Sequence, residues 1–94
     1  MSAKLETKHY AAKTAVPLSV LRDIRYWLKD NCKSRWTATD YKGNAFNWRK
    51  IGKLDSLEDK YLQEMDITIM VHFKKSEDLM LYLLSWPSEV LLND

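Results

Sequence analysis

The sequence predicts an α+β fold, a two-layer sandwich whose three- or four-stranded, mostly antiparallel sheet carries two main helices on one face. Three observations lead there. Residues 67–73, ITIMVHF, alternate apolar side chains as a strand and run through Lys74-Lys75-Ser76 into a helical pattern stopped by Trp86-Pro87. Residues 17–31 repeat apolar side chains at helical spacing, and residues 35–51 read as two β-prone runs about a glycine turn. At 94 residues, with 46% hydrophobic and 12% aromatic side chains, the chain fits one domain over 1–94. Residues 1–12 are a candidate flexible arm and residues 88–94 a tail.

Taken in order, KLETKHY (4–10) alternates as an opening strand or forms part of that arm. From Pro17, tolerable in a first helical turn, Val20, Leu21, Ile24, Trp27 and Leu28 share one helix face, and Asn31 terminates it. RWTATDY, Lys42-Gly43-Asn44 and AFNWRKI form a hairpin signal, with Gly52 ending it. Each of its strand faces mixes polar and apolar residues, so the pattern does not settle the register. Leu54, Leu57, Tyr61, Leu62 and Met65 then suit one side of a short helix starting at Asp55 or Ser56, with an acidic loop as the alternative.

The strand 67–73 is apolar enough on both faces to be central. Ser76 reads as the N-cap of the following helix, Glu77 and Asp78 suit its positive end, and Leu79, Met80, Leu83 and Trp86 continue it. The tail SEVLLND packs through Val90-Leu91-Leu92, adds an edge strand, or reaches another subunit. With helices on one side of the sheet, the opposite face is solvated, covered by the acidic segment, or occupied by a partner.

Composition narrows the chemistry. Cys32 is the sole cysteine, which precludes an intrachain disulfide and suits a reducing cytoplasm. No signal peptide or spanning segment is expected, so no membrane role follows. The net charge is only +2, yet residues 33–53 carry +5 and residues 55–66 carry −4, a dipolar distribution. One cysteine with His9 and His72 does not make a zinc set, nothing local orients a nucleophile with its base, and Gly43 and Gly52 are too few for a phosphate loop. Glu58, Asp59, Glu64 and Asp66 read as a solvated face rather than a catalytic pair. No enzyme activity and no cofactor are expected.

The ending HFKKSEDLMLYLLSW, residues 72–86, resembles that of a group of small tailed-bacteriophage proteins: a strand, an acidic pair, then an aromatic, a leucine and a tryptophan at alternate positions. Glu77, Asp78, Tyr82, Leu84 and Trp86 match it; Leu79 stands where a small residue is usual, and Tyr82 where phenylalanine is commoner. The resemblance implies a phage origin and a place in the host cytoplasm, and it brings no active site.

For binding, the hairpin is the candidate. Arg35, Trp36, Tyr41, Trp48, Arg49 and Lys50 interleave rings with cations, the composition of a protein-protein hot spot and equally of a surface for single-stranded nucleic acid. Filling the sheet-helix interface is the competing role for Trp36 and Trp48. The near-balanced charge favours a host or phage protein as partner, with single-stranded nucleic acid as the alternative and self-assembly through the tail as a third class.

Overall fold

The computed structural model describes residues 10–32, 34–57 and 59–92. Most of the expected opening strand, and the arm up to residue 9, lie outside these residues. Strand β1 occupies Tyr10–Pro17 and passes without a linker into helix α1, Leu18–Asn31. Strand β2 (Trp36–Thr39) follows, then helices α2 (Trp48–Ser56) and α3 (Lys60–Glu64), strand β3 (Asp66–Phe73), helix α4 (Ser76–Ser85) and strand β4 (Glu89–Leu92).

The sheet order is β2-β3-β1-β4 with every neighbouring pair antiparallel. Parallel strands β1 and β2 are therefore joined across β3 by α1, and β3 and β4 across β1 by α4. These are two interlocked split βαβ units, the ferredoxin-like arrangement, with α2 and α3 inserted between the second and third strands. The expected fold class holds, with four strands and with α1 and α4 as the two main helices packed on the sheet.

Register fixes the faces. Tyr10, Ala12, Thr14 and Val16 of β1 lie on the helix side with Phe73, Val71, Ile69 and Ile67 of β3, as do Trp36 and Ala38 of β2. Against them α1 buries Leu18, Leu21, Ile24 and Leu28, each worth about 1.5–3 kcal/mol of transfer free energy. Helix α4 adds Leu79 and the wholly buried Tyr82. The opposite face carries Thr37, Thr39, Thr68, Met70, His72 and Lys13, a polar-to-small surface that α2 and α3 leave uncovered because they pack against α1.

Several expectations are corrected. The hairpin closes through a three-residue loop: the Asp40 amide donates to the Asn44 carbonyl at 2.8 Å, and the Gly43 amide to that of Asp40 at 3.0 Å. Gly43 holds φ +89°, a left-handed conformation that explains the glycine. Its second arm ends early, at the bond from the Phe46 amide to the Ala38 carbonyl, and α2 begins. The reason is local: the Asn47 side chain accepts from the Lys50 amide at 3.0 Å, an N-cap bond, and Trp48, Ile51 and Leu54 recur at helical spacing. Gly52 thus lies inside a helix instead of ending a hairpin. The helix expected from Asp55 or Ser56 is split, and Asp59 caps the second piece by accepting from the Tyr61 amide at 2.8 Å.

At α4 the N-cap position is Lys75, not Ser76, whose hydroxyl donates to Glu77 instead. Met80 is 63% exposed rather than core, while Asp78, placed by its suitability for the positive end of the helix, is only 4% exposed. The tail takes the edge-strand option: β4 pairs antiparallel with β1, Val90 opposite Ala12. The last residues of the proposed arm, Tyr10–Ala12, belong to β1 and pair with both neighbouring strands.

Beneath the sheet runs a chain of hydroxyls. The Tyr82 hydroxyl lies 2.7 Å from Thr14 Oγ1, which lies 2.7 Å from Ser88 Oγ, which donates to the Trp86 carbonyl at 3.0 Å. Since that carbonyl only accepts and each hydroxyl has one proton, the direction is fixed: Tyr82 donates to Thr14, and Thr14 to Ser88. Thr14→Val should therefore leave the buried Tyr82 hydroxyl without an acceptor and cost about 1–3 kcal/mol, whereas Tyr82→Phe removes only the terminal donor and should cost about 0.5–1.5 kcal/mol. Urea denaturation of the two variants measures that order.

Candidate functional site

The sequence-designated residues do not share one strand pair. Arg35 is exposed ahead of β2, and Trp36 is half-buried on the helix side, opposite Phe73 and against the core. Tyr41 stands 68% exposed at the hairpin loop with the Lys42 ammonium 5.6 Å from its ring centre. Trp48, Arg49 and Lys50 open α2, the two cations exposed and the indole half-buried. Phe46 meets Trp48 edge-on, with ring centres 4.7 Å apart, so the end of the hairpin and the start of α2 are packed as one unit.

What α2 builds with α1 is a groove of about 400 Å3, counting space open to solvent. Buried Leu18 and Ile51 form its floor, and Tyr26, Trp48 and Gly52 its walls. Arg22 and Arg25 also line it. The Arg25 guanidinium lies 5.2 Å above the Trp48 ring, a cation-π stack between two half-buried side chains that contributes on the order of 1 kcal/mol. Of the designated residues, Trp48 alone lines this groove, with Arg49 and Lys50 beside it on α2. Reading residues 45–51 as a strand hid it; the signal that finds it is the helical spacing of Trp48 and Ile51 after Asn47.

Elsewhere the ionisable side chains have structural partners. Asp40 Oδ1 accepts from the amides of Lys42 and Asn44, each at 2.9 Å, and these bonds, the Asn44 amide foremost, hold its carboxyl below the usual range. His72, on the open sheet face, has Nε2 2.9 Å from Thr39 Oγ1. Burial, with a smaller contribution from the Asp78 carboxylate, pushes the Cys32 thiol up to about 11. Asp78 Oδ2 in turn accepts from the Ser34 amide at 3.3 Å, pinning the α1–β2 connection to α4. Tyr82 is also raised, by burial first, against the lowering effect of its bond with Thr14.

Among the described residues no group of three or more His, Cys, Asp or Glu is placed to hold a metal ion, and no helix is long and apolar enough to cross a membrane. No family model, no curated protein and no solved structure matches the chain. The groove is therefore read from its own chemistry, a cationic and aromatic lining over an aliphatic floor.

Cys32 gives a pH prediction. Its folded pKa lies above its ordinary value of 9.0, so the neutral thiol favours the fold below pH 9 and that contribution is lost as pH rises toward about 11. The thermal midpoint should fall through this window, less steeply in Cys32→Ser; Tyr82 titrates in the same sense and leaves a residual slope. Alkylation by iodoacetamide at pH 8 should be slower than for a free thiol of ordinary pKa, because the thiolate fraction is smaller.

Proposed function

We propose that the protein is a non-enzymatic binding module that holds a segment of another protein in the α1–α2 groove. The observation that carries this reading is the groove's composition: Trp48, Tyr26, Arg22 and Arg25 around Leu18 and Ile51. Tryptophan, tyrosine and arginine over a desolvated apolar floor are the residues that dominate protein-protein affinity. Arg49 and Lys50 extend the cationic surface along α2, and Tyr41 and Arg35 are exposed within the preceding segment, where they widen the contact.

Charge supports protein over nucleic acid. A single-strand binder needs a basic track with successive stacking rings, and its affinity comes largely from counterion release. Here the net charge is +2, and the open sheet face offers threonines, Met70 and His72 where such a binder would carry rings. The likeness of residues 72–86 to small tailed-phage proteins supplies the setting: a phage protein acting in a bacterial cytoplasm, which inhibits a host or phage protein by occupying its surface.

A pull-down from bacterial lysate tests the reading. Wild-type protein should retain a discrete partner that Arg25→Ala and Trp48→Ala release, while circular dichroism shows both variants folded. The rival is scored by fluorescence anisotropy with an oligothymidine at low salt. Tight binding that falls steeply with salt and is lost in Arg25→Ala would replace the protein-binding reading with a nucleic-acid one.

A further inference from the structure

We propose that two copies of the chain pair through the outer edge of β4, antiparallel across a twofold axis, with the Met80 side of α4 lying beside the seam. This surface uses other elements than the α1–α2 groove and does not depend on it.

The two edges of the sheet are treated differently. At β2 the chain guards its own edge: the segment after the hairpin loop folds back along it, with Ala45 bridged to Thr39 and the Phe46 amide donating to the Ala38 carbonyl at 3.0 Å. At the other end of the order β4 pairs with β1 on one side and, among the described residues, has no strand on the other. Alternate residues of such a strand turn their amides and carbonyls outward, a template for a further strand. The usual guards are missing. Glu89–Leu92, EVLL, holds no lysine and no proline, and its register with β1 runs unbroken, so no bulge turns it aside.

The helix that leads into this strand is apolar all round. Residues 79–84, LMLYLL, form an unbroken run, which at about 3.6 residues per turn goes fully round α4. One side faces the core, where Leu79 and Tyr82 are buried, but Met80, Leu81 and Leu84 are exposed, Leu84 by 84%. A helix of this kind is ordinarily covered on every side. Asp78 fixes the direction: its carboxylate meets the Ser34 amide just after α1, so Met80, about 200° further round the helix, turns away from α1 and toward β4. Val90, opposite Ala12, points to the same side of the sheet and is 42% exposed.

Symmetry and charge select a second copy as the occupant. An antiparallel edge is its own complement under a twofold axis normal to the sheet, and that operation keeps the helices of both copies on one side, with the two α4 helices flanking the seam. Directly opposite residues share a face, so Val90 sits against Val90 of the second copy and Glu89 stands opposite Leu91, away from the other Glu89. From Leu79 to Ser85 α4 carries no charge, so identical copies meet there without repulsion, whereas a strongly charged partner finds nothing to pair with. A four-residue edge falls short of the roughly 800 Å2 per partner of a standard interface, so the helix side is needed and the pairing is reversible.

Sedimentation equilibrium on the full chain, from micromolar to millimolar concentration, tests this. Wild-type protein should pass from monomer to dimer, and hydrogen exchange of the 89–92 amides should slow with concentration while that of 36–39 stays constant. Val90→Lys and Met80→Glu should each raise the dimer dissociation constant at least about tenfold, because each sets two like charges at the seam. Both positions are exposed, so the thermal midpoint of the dilute protein should change little. Tyr61→Ser, at an exposed ring on α3, should leave the dimer intact. A monomer at every concentration, a dimer indifferent to either charged variant, or one lost in Tyr61→Ser overturns the proposal. Arg25→Ala, which tests the groove, should not affect pairing, so the two readings fail separately.

Discussion

Tyr82 is the point through which the helix layer is fastened to the sheet. Wholly buried, its ring lies edge-on to Trp27 of α1 with centres 5.9 Å apart, and is tilted against Phe73 of β3 at 5.3 Å. Its hydroxyl reaches Thr14 on β1, so one side chain of α4 contacts the other main helix and both central strands. Removing a ring of this size from a packed interior typically costs about 3–5 kcal/mol, a large part of the net stability of a domain this short. The phenol is tolerable in the core because the hydroxyl chain to Ser88 and the Trp86 carbonyl takes up its proton. A phenylalanine at this place would fill the same space but would leave the β1–α4 contact without its directional bond.

That fastening sets where a binding surface can lie. With α1 and α4 locked on the sheet, the inserted α2 and α3 pack against α1 rather than under the sheet, which keeps them in the helix layer. Ile51 joins the main core, so α2 is held by the same burial that stabilises the domain, and the groove beside it is built on packed elements. The α1 terminus is fixed in the same way: the Leu18 amide, an orphan donor after Pro17, gives its proton to the Met65 carbonyl at 3.2 Å. A groove with such supports is held in place before anything enters it.

Much of this was legible in the sequence, and the gaps have physical causes. α1, β3 and α4 announce themselves because each carries large apolar residues at a single period. β1 does not: its helix-facing side is Ala12, Thr14 and Val16, small residues that make room beneath the helices and give almost no hydropathy signal. Residues 45–51 misled because Phe46 and Trp48 alternate as in a strand, while the decisive cue was a capping side chain, Asn47, which hydropathy does not register. Asp78 was read from the helix dipole alone; its burial comes from the connection after α1 folding over it, a contact between residues 44 apart in sequence. For the same reason the groove was only half visible: Trp48 and its cations stand out in the sequence, but Arg22, Arg25 and Tyr26 meet them only in three dimensions.

The placement of rings against the sheet bears on the kind of partner. In a four-stranded antiparallel sheet with helices on one side, the open face is the natural stacking platform for unpaired bases, and aromatic residues on the two central strands would supply it. In this chain the central strands place Tyr10 and Phe73 on the helix side, and the open side has Ala11, Lys13, Ala15, Thr68, Met70 and His72. One lysine and one imidazole among small and polar groups give neither successive stacking rings nor a phosphate track. The rings near the surface are gathered instead at the helix layer, where Trp48 is half covered by Phe46 and Arg25. A ring engaged on both sides in this way has little face left for a base.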